Sequence, residues 1–226
     1  MKRVVIPELL DDDAGSPPEV QSSLADLGRI NRWFGGVRVL TRLLERVAQR
    51  TGRRELTLLD VAGATGELPA LASEQLRQKN IRLEVTVLDR ALSHLAGRNS
   101  GSVVGNALAL PFRDGSFDLV SCSLFVHHLE PPEVRQFVNE ALRVGRLAAL
   151  INDIRRHPVH LALVYAGLPL YRSRLTRHDG PVSIRRAYTP QEMRAMLAQT
   201  SAARVDLSTH YLYRMGVIAW RNGGAA

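Results

Sequence analysis

Residues 58–67 constrain the fold of this 226-residue chain more than any other segment. They read LLDVAGATGE, an apolar strand that ends in Asp60, followed by a turn of small residues and the start of a helical pattern. Small residues in such a turn let the backbone approach a ligand closely. The segment therefore predicts a strand–turn–helix unit with a ligand near the turn.

Short apolar runs alternate with helical patterns from residue 56 onward. Strands that alternate with helices are typical of a parallel sheet with helices on both faces, so we predict an α/β fold. The predicted strands are 56–61, 83–88, 102–104, 117–122, 147–151, 204–208 and 215–220, and the predicted helices of this part include 68–77 and 132–143.

The length of the chain predicts a single domain, residues 1–226, in four parts. Residues 1–55 are expected to form a helical cover, because apolar residues recur at helical spacing on both sides of Gly35-Gly36. Residues 56–154 form the predicted core. Residues 155–188 break the alternation and contain three prolines, which predicts an inserted cap. Residues 189–226 close the fold, beginning at a helix capping box at Thr189.

Composition narrows the classes of partner and compartment. The formal charge is +8, but the arginines are dispersed and form no basic tract, so we expect a solvated surface and no nucleic-acid partner. Cys122 is the single cysteine, which excludes an intramolecular disulfide. The sequence shows no secretory signal and no transmembrane segment, which favours a cytoplasmic protein. A homodimer is left open.

Polar residues follow two further predicted strands. Asp89 ends the second strand, and a carboxylate there can accept hydrogen bonds from both hydroxyls of a ribose. Asp89 lies 29 residues after Asp60, more than the roughly 20 of a dinucleotide-binding fold, and Gly-x-Gly-x-x-Gly is absent, which disfavours a dehydrogenase. Asn106 follows the third strand, where a polar side chain can contact the edge of an adenine.

Taken in order, these segments resemble the class I S-adenosylmethionine-dependent methyltransferases. Residues 60–66, Asp-Val-Ala-Gly-Ala-Thr-Gly, are similar to the first motif of that family in the form found in ubiquinone/menaquinone-type C-methyltransferases. Asp89 matches the acid of the second motif, and residues 106–112 and 117–120 are similar to the segments at the third and fourth strands. The resemblance covers residues 56–154 well and the remainder loosely.

The resemblance implies a Rossmann-like sheet of seven mostly parallel strands with the last strand antiparallel. It also implies S-adenosyl-L-methionine as cofactor and S-adenosyl-L-homocysteine as product. The expected cofactor-binding residues are Asp60, Ala62, Gly63, Ala64, Gly66, Asp89, Arg90, Asn106, Ala107 and Ser123.

The chain departs from the family pattern at three places. Ala64 replaces a glycine of the first motif, and Asn106 replaces an aspartate. The Leu-Lys-Pro-Gly-Gly turn before the fifth strand is replaced by residues 143–146, Arg-Val-Gly-Arg. None of these changes removes a charge that the cofactor needs.

Two histidines and an aspartate are the candidates for acceptor chemistry. His127 and His128 follow the predicted fourth strand, and Asp153 ends the fifth, so all three reach the edge where α/β sheets place ligands. A carboxylate can orient an imidazole and raise its basicity. Some natural-product O-methyltransferases carry a similar His-His pair and Asp. By that resemblance we expect His127 as base and Asp153 as the residue that orients it. A metal site formed by His127, His128 and Asp153 is the disfavoured alternative, because no further ligands occur at a familiar spacing.

The sequence thus predicts methyl transfer to the hydroxyl of a small aromatic or lipophilic acceptor, phenolic or polyketide-like. The apolar, aromatic residues of the cap would line its pocket, although they could equally form a second small core. Three alternatives stay open: a C-methyltransferase acting on a quinol or an electron-rich ring, an RNA or protein methyltransferase, and a cofactor-binding regulator without activity.

Overall fold

The computed structural model describes residues 1–12, 14–95 and 101–224. Within them, one seven-stranded sheet has the order β3-β2-β1-β4-β5-β7-β6. Its strands are β1 (Glu55–Val61), β2 (Arg82–Asp89), β3 (Ser102–Val104), β4 (Phe117–Ser123), β5 (Gly145–Ile154), β6 (Arg204–His210) and β7 (Arg214–Trp220).

Seven α-helices accompany the sheet in the described residues. They are α1 (Pro17–Trp33), α2 (Gly36–Thr51), α3 (Glu67–Arg77), α4 (Pro131–Val144), α5 (Pro158–Gly167), α6 (Arg174–Arg186) and α7 (Pro190–Leu197).

The predicted fold class is confirmed by the strand directions. Strands β3, β2, β1, β4 and β5 pair in parallel, and β7 pairs antiparallel with both β5 and β6. Parallel strands need helices on both faces, and both faces are covered by apolar contacts. One face packs against α4 and α7 through Phe137, Val138 and Met193. The other packs against α2 and α3 through Leu40 and Leu76.

The observed strands and helices of the core lie within three residues of the predicted bounds at each end. The segment 155–188, which the sequence predicted as an inserted cap without assigning helices or strands to it, forms α5 and α6. Its prolines concealed these helices. Pro158 occupies the first turn of α5, which tolerates proline, while Pro181 lies inside α6.

Helices α1, α5 and α6 lie over the carboxyl edge of the sheet together with the N-terminal residues. Val20 and Leu24 of α1 pack against Leu175 of α6. Leu9 and Leu10 donate their backbone N–H groups to the carboxylate of Asp179 in α6. The carboxyl ends of β1, β2, β4 and β5 therefore face a cover made from the N-terminal residues and from the segment 155–188. Among the residues that the structure describes, no helix has the length and apolar character needed to cross a bilayer.

Candidate active site

A cavity of about 960 Å³ lies between the carboxyl edge of the sheet and this cover. Most of the residues singled out from the sequence line it. Those in its wall are Asp60, Ala62, Gly63, Ala64, Asp89, Arg90, Asn106, Ala107, Ser123, His127 and His128. Gly66 caps the start of α3, and Asp153 is reached through His127, so both support the wall from behind.

The turn after β1 is shaped by close backbone packing. A Cβ atom at Gly63 would lie 2.6 Å from Oδ2 of Asp60 and 2.8 Å from Cγ1 of Val87, so this position requires glycine. Ala62 and Ala64 have positive φ angles of 55° and 45°, which are strained for residues with a side chain. Replacing the family's glycine at position 64 therefore kept the turn but added strain.

Asp89 is a buried carboxylate at the end of β2. Its Oδ2 accepts the N–H of Ala64 (3.0 Å), and its Oδ1 accepts the N–H of Ala91 (3.1 Å). Burial raises its pKa, but hydrogen bonds from His94, Ala91 and Ala64 outweigh it and lower the pKa below its usual value. The ionised carboxylate of Asp89 in the cavity wall can accept hydrogen bonds from the hydroxyls of a ribose. Its strand, β2, lies two strands from the strand that ends at Ser123.

Three other expected cofactor residues have partners within the protein. Asn106 accepts the N–H of Leu108 through Oδ1 (2.9 Å), so a contact with adenine would use its amide nitrogen. Nη2 of Arg90 donates to the backbone oxygen of Asp11 (2.6 Å), which connects it to the cover. Ser123 accepts a hydrogen bond from the amide of Asn152 (3.1 Å) at the end of β4.

His127 and Asp153 meet across the ends of β4 and β5, as their predicted positions required. Nδ1 of His127 donates to Oδ1 of Asp153 (2.8 Å), and the backbone N–H of His127 donates to Oδ2 (3.1 Å). Both residues are at least 98% buried. His128 lies beside His127, with ring centroids 4.2 Å apart, and is partly exposed to the cavity.

Two acids from the N-terminal segment complete this cluster, and the sequence analysis missed both. The carboxylate of Glu8 lies 3.6 Å from Nε2 of His127 and 3.8 Å from Nε2 of His128, and Asp11 contacts Nδ1 of His128 at 2.9 Å. The predicted helical cover of residues 1–55 assigns no site residue to this segment. The one available signal was that Glu8 is an isolated acid in the apolar run 4–10.

Burial and charge oppose each other at His127. Burial alone would lower its pKa, but the carboxylates of Asp153 and Glu8 outweigh that effect and raise the pKa to about 10. The same contacts lower the pKa of Asp153 and of Glu8, although burial raises both. With the N-terminal segment in place, His127 is therefore an imidazolium between two carboxylates, and Nε2 carries a proton.

The same atoms could hold a divalent cation. Glu8, His127 and His128 offer ligand atoms that all lie within 4.8 Å of one another. Each histidine has its Nδ1 held by a carboxylate, which is the usual arrangement of a metal-ligating histidine. Asp153 binds Nδ1 of His127 and so lies behind the candidate ligand atoms. Glu8 is therefore the third candidate ligand, in place of Asp153.

The cap lines the wall opposite the turn after β1. Leu163, Val164 and Tyr171 face the cavity from the cap, and Leu27 and Phe34 face it from the N-terminal helical cover. The apolar residues of the cap thus contribute to the pocket, and no residue of α5 is buried. Apolar and aromatic walls with a few polar groups are typical of small-molecule sites.

Comparisons with known proteins show which families and folds this chain is similar to. Residues 59–149 match the family model described as a methyltransferase domain. The chain is 30% identical over 194 residues to the ubiquinone/menaquinone biosynthesis C-methyltransferase UbiE of Methylobacterium nodulans, covering 75% of this chain and 73% of the relative. It is 34% identical over 133 residues to UbiE of Cereibacter sphaeroides, covering 51% and 50%.

Solved structures show the same fold at low sequence identity. The plantazolicin methyltransferase BamL superposes with a TM-score of 0.63 at 14% identity, covering 89% of this chain and 90% of that chain. A SAM-dependent methyltransferase from Aquifex aeolicus superposes with a TM-score of 0.56 at 19% identity, covering 79% and 87%.

The strain at Ala64 predicts a stabilising substitution. Ala64→Gly should raise the free energy of unfolding by about 0.5–1 kcal/mol, because glycine adopts a positive φ without steric cost. Ala70→Gly, at an exposed site in α3, should lower it by about 0.5–1 kcal/mol. Urea unfolding of both variants measures the two changes. A loss of stability in Ala64→Gly equal to that of the control would show that position 64 is unstrained.

The raised pKa of His127 predicts a decline of stability in alkali. A group with a folded-state pKa above its unfolded value of about 6.5 stabilises fully below pH 6.5 and loses this contribution as the pH rises toward 10. The free energy of unfolding should therefore fall more steeply between pH 6.5 and 10 in the wild type than in His127→Gln or Glu8→Gln. His157→Gln, at a site that stacks on Tyr213 away from Glu8 and Asp153, should keep the wild-type slope. Equal slopes in all four proteins would contradict the ion cluster.

Proposed function

Because the chain belongs to the class I S-adenosylmethionine-dependent methyltransferases, we propose that it methylates a hydroxyl oxygen of a small phenolic or polyketide-like molecule. The observation that carries an acceptor with a hydroxyl group is the contact between His127 and Asp153 at the cavity wall. A hydroxyl acceptor has a proton to lose, and this pair can take it.

The residues around the turn after β1 fit the cofactor. When bound, S-adenosylmethionine supplies a methyl group on a positively charged sulfur, and transfer of that methyl group to a nucleophile leaves neutral S-adenosylhomocysteine. Asp89 would accept hydrogen bonds from the ribose hydroxyls, and Asn106 would donate to the adenine ring. The lack of a side chain at Gly63 allows close approach to the backbone. These roles explain why the small residues and the buried acid lie in one wall.

His127 must lose its own proton before it can act as a base. In the closed arrangement Nε2 faces Glu8, and the two carboxylates keep the ring protonated at neutral pH. We propose that the acceptor hydroxyl takes the place of the Glu8 side chain. Withdrawal of one carboxylate lowers the pKa of His127, so that Nε2 releases its proton to solvent. Nε2 can then take the hydroxyl proton, while Asp153 holds Nδ1–H and stabilises the imidazolium that forms.

A second candidate is methylation of carbon, and the similarity to UbiE favours it. The name of that relative describes a C-methyltransferase of ubiquinone and menaquinone biosynthesis. Loss of a phenolic proton places negative charge on the oxygen and on the ring carbons ortho and para to it, so one base serves either outcome. NMR of the product distinguishes a methoxy group from a methyl group on the ring.

The cofactor role of Asp89 predicts a binding defect. Asp89→Ala should weaken binding of S-adenosylhomocysteine at least tenfold, since each hydrogen bond to a charged group contributes about 1.5–3 kcal/mol. Asp89→Asn, which keeps one acceptor oxygen, should lose less. Asp114→Ala, at an exposed site, is the matched control and should bind normally. Calorimetry that found unchanged affinity in folded Asp89→Ala would refute the assignment.

The proposed base predicts a defect in turnover alone. His127→Ala and Asp153→Asn should each lower kcat at least tenfold with a phenol or quinol acceptor at neutral pH, while the affinity for S-adenosylhomocysteine stays within twofold. The loss should shrink near pH 10, where a phenol of pKa about 10 ionises unaided. The double variant should be little worse than His127→Ala, because the two residues act as one unit.

Three other results would change this assignment. Full turnover in both single variants would mean that the site acts by positioning alone. A larger loss in His128→Ala would transfer the base to the neighbouring ring. Loss of activity on dialysis against EDTA, with recovery on adding zinc, would make the histidines metal ligands, because a metal and a proton compete for the same Nε2 lone pair.

A further inference from the structure

Arg214 is a buried cation whose partners within the protein do not account for its charge. It opens β7, lies opposite Ile154 of β5, and is 1% exposed. Its Nη2 donates to Oδ1 of Asn31 (3.0 Å), and its Nη1 has no hydrogen-bond partner. Across residues 1–12, 14–95 and 101–224, no carboxylate oxygen lies within 4.0 Å of this guanidinium.

A guanidinium in such a place is costly unless an anion joins it. Burial lowers its pKa to about 10, a change that the charge of Asp153 opposes, yet the group remains protonated at neutral pH. Asp153 is not free to pair with it, because its oxygens accept from His127 and from the N–H of Ile154. Buried charges in proteins are paired with an opposite charge, and this one opens onto the cavity.

The surroundings of Arg214 add positive charge. Arg155 lies over the ring of Tyr213, at 5.1 Å from its centroid, and its Nε is also buried without a hydrogen-bond partner. His160 stacks on the same ring, at 5.2 Å. Burial, together with the charges of Arg214 and Arg155, lowers the pKa of His160 to about 4, so this imidazole is neutral at pH 7. This end of the cavity therefore favours an anion.

The strand order places this cationic end away from the cofactor turn. Strands β4 and β5 separate β7 from β1. At the usual strand spacing of roughly 4.8 Å, the backbone of Arg214 therefore lies about 14 Å from the strand that leads into the turn. The residues assigned to ribose and adenine follow β2 and β3, which lie farther still. We therefore expect an anion bound at Arg214 to be part of the methyl acceptor and not of the cofactor.

We propose that Arg214 is a carboxylate-binding site at the acceptor end of the cavity, and hence that the methyl acceptor is an aromatic acid. That the bound molecule is the methyl acceptor rests on the proposed function, but the anion site itself can be tested without turnover. The planar fork of Nη1 and Nη2 matches a carboxylate, and Nη1 supplies the unused donor. The one other source of a carboxylate is the methionine part of the cofactor.

The test compares benzoate with benzamide, which share size and shape but differ in charge. In wild-type protein saturated with S-adenosylhomocysteine, benzoate should bind at least tenfold more tightly than benzamide, measured by calorimetry and by the rise in Tm. Arg214→Met should abolish this preference. Arg214→Lys, which keeps the charge, should retain part of it and guards against a folding defect. Arg77→Met, on the exposed surface of α3, should behave as the wild type.

A second arm identifies the source of the carboxylate. Binding of S-adenosylhomocysteine is compared with that of its decarboxylated analogue, 5′-deoxy-5′-(3-aminopropylthio)adenosine, in the wild type and in Arg214→Met. An affinity difference that disappears in Arg214→Met would retain the anion site but assign its carboxylate to the cofactor. Equal binding of benzoate and benzamide to the wild type, together with no effect of Arg214→Met on the cofactor pair, would overturn the proposal.

These outcomes are separate from the fate of the proposed function. If Asp89→Ala binds S-adenosylhomocysteine normally while the benzoate preference depends on Arg214, the cofactor assignment fails and the anion site stands. If Asp89→Ala loses cofactor binding while the benzoate preference is unchanged in Arg214→Met, the cofactor assignment stands and the anion site fails.

Discussion

The contact between His127 and Asp153 joins the ends of β4 and β5, and the chemistry of the site is arranged around it. Parallel pairing of Ser123 with Asn152 fixes the two strand ends side by side, so the histidine that follows one strand meets the carboxylate near the end of the other. Two further hydrogen bonds from backbone N–H groups help to keep the buried Asp153 ionised. A carboxylate bound in this way sets both the orientation and the protonation of the imidazole.

The N-terminal segment determines the state of that imidazole. The carboxylate of Glu8 contacts Nε2 of His127, while Asp153 binds Nδ1 of the same ring. Asp179 of α6 holds the segment in place by accepting hydrogen bonds from the N–H groups of Leu9 and Leu10. The segment thus buries the ring and helps to keep it protonated at the same time. Glu8 belongs to this cover and not to the apolar core of the sheet, so the proposed exchange of an entering acceptor with Glu8 would leave that core intact.

Charge is distributed unevenly along the cavity. The wall after β1 and β2 carries Asp60 and Asp89, which suits a cofactor with a positive sulfur and ribose donors. The wall beside β7 carries Arg214, with Arg155 close to it. Opposite charges at the two ends would orient a cationic cofactor and an anionic acceptor with their reacting atoms between, near His127. The field of the site would then assist the alignment that methyl transfer needs.

The hydrophobic pattern of the sequence determined the strands, the helices of the core and the parallel order, because burial on both faces demands that pattern. Once parallel strands are established, Asp60, Asp89, His127 and Asp153 must share one edge, so much of the site followed from position in the chain alone.

Tertiary structure decided the rest. Asp11 meets His128 across 117 positions and Arg214 meets Asn31 across 183, and local patterns carry no signal of such pairs. The protonation of His127 and the unmatched charge of Arg214 likewise depend on burial and on neighbouring charges, which exist only after the cover has folded over the sheet.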